Sequence, residues 1–76
     1  MAKIKSFVKG TGSVSTRMSE VECVYNVGDV NGEKYIALST YGSSGRQNGG
    51  VASQVIHMNR EKARELVEIL NREFGL

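Results

Sequence analysis

The chain has 76 residues, with ten Lys and Arg against eight Asp and Glu, one Cys, one His and no Pro or Trp. This length supports a single small core. One cysteine excludes an internal disulfide framework, and one His with one Cys excludes a closed zinc site built from a single chain. No run approaches the roughly 18 apolar residues of a membrane span, and the first nine residues have no apolar signal-peptide core. The expectation is a small cytoplasmic globular domain without metal, cofactor or membrane.

Lys3, Lys5, Lys9 and Arg17 fall in residues 1–19, a stretch with no acidic residue. Residues 3–8 can add a first strand, so this basic segment is read as either a strand or an arm. Its Gly10-Thr11-Gly12-Ser13-Val14-Ser15 run starts like a dinucleotide fingerprint but has no third glycine and no βαβ setting, so it reads as a turn.

From residue 20 the apolar period is two. Val21, Cys23, Tyr25 and Val27 alternate with Glu20, Glu22, Val24 and Asn26, and Lys34 to Tyr41 forms a second such run. Asn31-Gly32 lies between them, and both residues tolerate positive φ, so the two runs form a hairpin. Cys23, on the apolar parity, is expected to be buried and structural.

Residues 42–50 are rich in Gly and Ser and read as a connection; Gly45 to Gly50 lacks the Lys-Ser/Thr of a phosphate loop. Val51 to Met58 is the third or fourth strand. Its Gln54 falls on the apolar parity, which signals a bulge, a strand end or a shifted register, and His57 reads as an exposed strand-end residue.

Ala63, Leu66, Val67, Leu70 and Phe74 then recur at helical spacing. Asn59 is the expected N-cap and Gly75 the stop. Arg60, Arg64, Glu68 and Arg72 line the other side as a solvated face, with Glu68 and Arg72 in the favourable order for an i,i+4 pair.

The expected fold is α+β: a curved antiparallel sheet of three to four strands followed by one C-terminal amphipathic helix (ββββα), with residues 20–58 as sheet and 59–74 as helix. The helix covers the side holding Ile36, Leu38, Ile56 and Met58. Tyr35, Ala37, Ser39, Tyr41, Val51, Ser53, Val55 and His57 are left on the other side. A chain this short gains little from its own core, so a homodimer is expected.

No nucleophile–base pair, paired carboxylates or phosphate loop emerges, and the chain is read as non-enzymatic. The remaining signal is aromatic and basic. Bases stack on tyrosines while Lys and Arg follow the phosphates. An uncovered, half-apolar sheet side is equally the mark of a protein interface, so a dimeric interaction module with no nucleic-acid role is the competing reading.

Lys34 to Tyr41, the Gly-rich loop with Arg46, then Ser53 to Met58 and the helix resemble the positive-cofactor-four transcriptional coactivators. With Glu73-Phe74-Gly75 the order is also similar to a Pur-alpha repeat, and the Tyr41-Gly42-Ser43-Ser44 and Ser53-Gln54 segments are similar to small uncharacterised bacterial proteins. The resemblance covers about residues 20–76. It implies single-stranded DNA or RNA binding by a dimer, in transcription or DNA maintenance. Tyr35, Tyr41, Arg46 and Gln54 carry over by position. With the basic residues Lys3, Lys5, Lys9, Arg17 and Lys34 they make up the expected nucleic-acid site.

Overall fold

In the computed structural model, residues 1–41 and 52–76 are described. Four strands and a helix follow in chain order: β1 (Ala2–Lys3), β2 (Cys23–Val30), β3 (Glu33–Thr40), β4 (Gln54–Asn59) and α1 (Arg60–Phe74). The α+β, ββββα expectation holds. The strands form one sheet in the order β1-β4-β3-β2.

β2 and β3 are joined by the two residues Asn31 and Gly32, with φ of 54° and 82°. Two successive positive φ angles match the right-handed twist of the flanking strands, which is why an Asn-Gly pair sits here. The turn sets the register: Val27 lies opposite Ile36 and Tyr25 opposite Leu38. β4 continues the same rows, with Ile36 opposite Met58 and Leu38 opposite Ile56. Cross-strand partners share a side of the sheet. Val27, Ile36 and Met58 therefore lie on one side, while Tyr35, Ala37, Ser39, Val55 and His57 lie on the other, as the alternation predicts.

The sheet is mixed rather than wholly antiparallel. β1 is only two residues long and runs parallel to β4, Ala2 opposite Ile56 and Lys3 opposite His57. One more backbone bond, from Ile4 N to His57 O at 2.9 Å, closes the pairing. The chain then leaves the sheet: Phe7 and Val8 face Ile69, Leu70 and Phe74 across a groove beside the C-terminal half of α1. The strand expected over residues 3–8 is thus cut short, with Phe7 half-buried and Val8 exposed beside that groove.

Gln54 falls on the side of Ile36 and Met58 because it is the first residue of β4, opposite Thr40. Ser53 donates from both its N–H (2.8 Å) and its Oγ (3.2 Å) to Thr40 O, fixing that strand end. Val51 and the Gly42–Gly50 connection lie outside the described residues.

The helix begins where the sequence places it. Asn59 is extended and its Oδ1 accepts from Lys62 N at 3.0 Å, satisfying one free amide of the first turn. Gly75 stands at φ 68° and its N–H donates to Asn71 O at 2.8 Å, the left-handed helix stop. Among the described residues, the ion pairs on α1 are Lys62–Glu65 at 3.0 Å and Arg72–Glu73 at 4.0 Å, not Glu68–Arg72. Arg72 turns to its neighbour instead of back along the helix.

The packed centre is small. Met58, 4% exposed, is the buried apolar side chain among the described residues, and Ser39, opposite Val55 on the other side of the sheet, is the buried polar one. Ile36 and Leu38 are half-buried and Ile56 is exposed. A hollow of about 280 Å³ remains between Val27, Ile36 and Met58 of the sheet and Ala63 of α1. Cys23 is exposed, which corrects the buried position expected for it. Parity put it on the apolar side, but it opens β2, which among the described residues has a neighbouring strand on one side only.

Candidate nucleic-acid interface

The side of the sheet away from Met58 brings two of the expected residues together. Tyr35, half-buried in β3, lies opposite Asn59, one step from the row of Ala37 and His57. Lys3, in β1, lies opposite His57 on the same side. Its side chain crosses β4 and sets Nζ 5.4 Å from the centroid of the Tyr35 ring. A cation at that distance from an aromatic face is attracted by the ring quadrupole.

The Tyr35 hydroxyl near the ammonium is the main cause that raises the Lys3 pKa above its ordinary value, and the nearby Glu33 carboxylate adds to the shift. Lys3 therefore stays cationic at all physiological pH.

Two further contacts hold this patch. His57 Nδ1 lies 3.3 Å from Ala2 O, which ties the ring to β1 and half-buries it. This replaces the exposed strand end expected for His57: β1 lies alongside β4 and fills the space. Asn59 Nδ2 donates to Glu33 Oε2 at 3.1 Å while Oδ1 of the same side chain caps the helix. One asparagine so links β3, β4 and α1, and it holds a carboxylate near Tyr35.

The other expected residues divide. Lys34 lies opposite Asp29 and shares the side of Ile36 and Met58, as does Gln54; neither faces Tyr35. Strand alternation dictates this, since Lys34 and Tyr35 are neighbours in sequence. Tyr41 follows β3 and is half-buried. Lys5, Lys9 and Arg17 are exposed along the segment between β1 and β2, and Lys9 borders the groove with Glu73 and Phe74. Arg17 follows a local turn in which its N–H donates to Ser15 Oγ at 3.0 Å. Arg46 lies outside the described residues.

What the sequence did not reveal is the Lys3–Tyr35 contact and the acidic Glu33 beside it. Both residues of the contact were singled out, but their meeting depends on β1 pairing with β4, a junction between the two ends of the chain.

Among the described residues, no group of three His, Cys, Asp or Glu could hold a metal ion. No helix among them is long and apolar enough to cross a membrane. No family model, curated protein or solved structure matches the chain.

Proposed function

We propose that the protein is a non-enzymatic, cytoplasmic single-stranded DNA- or RNA-binding protein, acting as a homodimer in transcription or DNA maintenance. The observation that carries this reading is the Lys3 ammonium 5.4 Å over the Tyr35 ring, on the side of the sheet away from Met58. A half-exposed aromatic ring can stack on a base, and the adjacent cation can meet the phosphate that follows. Lys5, Lys9 and Arg17, on the exposed segment that leaves β1, extend the positive track. Lys34 and Gln54, on the opposite side, are left out of the contact surface.

The test is fluorescence anisotropy of a labelled strand of about 20 nucleotides at about 50 and 200 mM salt, with duplex as competitor. Binding that weakens steeply with salt, resists duplex, and falls roughly 5- to 150-fold in Tyr35→Ala supports the reading, since stacking is worth about 1–3 kcal/mol per base. No binding at the lower salt overturns it. A second reading, a protein-interaction module with no nucleic-acid role, is favoured by the exposure of Tyr25 and Val27 on the other side. Binding of a folded protein partner, unaffected by salt, would mark it.

A further inference from the structure

The chain exposes far more surface than a compact protein of its size. At 8.3 kDa a folded monomer presents about 4600 Å². This chain presents 6645 Å², roughly 2000 Å² more than that scaling gives. Its radius of gyration is 14.2 Å, where about 11 Å is expected for 76 residues. A standard interface buries about 800 Å² per partner. Only the part of the surplus that lies on the sheet edge bears on such an interface.

Residues 8–23, exposed throughout, carry part of that surplus, and the free edge of the sheet carries another part. Among the described residues β2 has β3 as its sole neighbour in the sheet; it is eight residues long and contains no proline. Tyr25 is 68% exposed and Val27 55%, both on the side that carries Met58, and Val30 is exposed on the other. Proteins that remain single chains blunt such an edge with charge, proline or a bulge. Here the single charged residue of β2, Asp29, is matched within the sheet by Lys34.

The ladder fixes which backbone groups are free. In a two-residue hairpin the pair closing the turn, here Val30 and Glu33, exchanges both hydrogen bonds. Alternate pairs follow suit, so Val24, Asn26 and Gly28 bond to β3 while Cys23, Tyr25, Val27 and Asp29 present N–H and C=O to the open edge. Ile4 N bonding to His57 O fits the same alternation carried across β4.

We infer that two copies of this chain pair through β2, antiparallel, about a twofold axis at Val27, to form one continuous eight-stranded sheet. Only an odd residue opposite an odd residue lets the free groups meet. With Val27 facing Val27 of the second copy, Tyr25 faces Asp29, whose carboxylate accepts from the tyrosine hydroxyl. Val24 faces Val30, and Asn26 faces Gly28. Apolar meets apolar and no two like charges are apposed. Moving the axis to Asn26 instead sets Cys23 against Asp29 and Val24 against glycine, and loses both valine pairs. The twofold sets residues 24–30 of each copy against the same seven residues of the other, with Tyr25, Val27 and Asp29 both donating and accepting, as an isologous interface requires. This pairing is independent of the nucleic-acid reading, because it uses neither Tyr35 nor Lys3.

Sedimentation equilibrium at about 50 µM, a concentration at which an interface of standard size is populated, tests it with a charge exchange at the axis. Wild type is expected at twice 8.3 kDa. Val27→Lys and Val27→Glu, each placing like charges face to face, are expected as monomers, and their equimolar mixture as a dimer. A monomeric wild type overturns the proposal. So do variants that remain dimers, which would put the interface elsewhere, and a mixture that stays monomeric, which would separate Val27 from its mate. Circular dichroism checks that the variants fold. Should either unfold, the nearly isosteric Val27→Thr decides: a weaker dimer supports the pairing and an unchanged one overturns it.

Discussion

β2 and β4 flank the same central strand, yet they have opposite fates. β4 has β3 on one side and β1 on the other and runs straight into α1, so Met58 is buried at 4% exposure. Among the described residues β2 has β3 alone, and seven of its eight residues are exposed. The two strands are similarly apolar and both obey the period of two. Their difference therefore comes from what surrounds them: burial in a short chain follows the number of neighbours an element has, and the pattern in sequence states only which side is available for burial.

The sharpest test of that contrast is a pair of truncations. Met58→Ala removes the buried side chain beside a hollow that already holds unfilled space, and is expected to cost about 2–5 kcal/mol in urea unfolding. Val27→Ala, in the same cross-strand row, is expected to cost under about 0.5 kcal/mol when measured at dilutions where the chain is single. Equal losses would mean that the β2 side is packed within one chain. A loss at Val27 that grows with protein concentration would point instead to burial between copies, because a dimer's stability depends on its concentration.

The helix junction gives the next effect. Asn59 caps α1 and also holds Glu33, so Asn59→Ala is expected to cost about 1 kcal/mol through the cap, with some loss of helical ellipticity at 222 nm. Asn59→Ser keeps a capping oxygen but loses the amide that reaches Glu33. Recovery of most of the stability in the serine variant would assign the loss to the cap. No recovery would assign it to the link with β3.

These two junctions also show what could be read from sequence. The hairpin was legible because Asn31-Gly32 is a local signal with a stereochemical cause. The helix ends were legible because Asn59 and Gly75 act within one turn of their own positions. β1 was less so: two residues have no period, and their parallel pairing joins chain segments more than fifty residues apart. The exposure of Cys23 escaped for a related reason, since parity cannot say whether anything covers a row. In the candidate site, Tyr35 and Lys3 stood out as an aromatic and a cation. That Lys34 would face away from Tyr35 follows directly from alternation, whereas the reach of Lys3 across β4 requires the sheet order.

The smallest expected effect bears on that reach. The Tyr35 hydroxyl, more than any other group, raises the Lys3 pKa. A cation whose folded pKa is raised contributes its stabilisation in full below the unfolded value, roughly pH 10.4 for lysine, and loses it as pH climbs through the folded value. Folding stability at pH 5–9 should therefore be insensitive to this group, with the loss confined to strongly alkaline solution. Tyr35→Phe keeps the ring under the ammonium and removes the hydroxyl. The Lys3 side-chain titration, followed by carbon-13 NMR at Cε, is expected to move back toward the ordinary lysine value in that variant. An identical titration in both proteins would show that the Tyr35 hydroxyl does not act on Lys3 in solution, and the pairing of β1 with β4 would then rest on its backbone bonds and the His57–Ala2 contact.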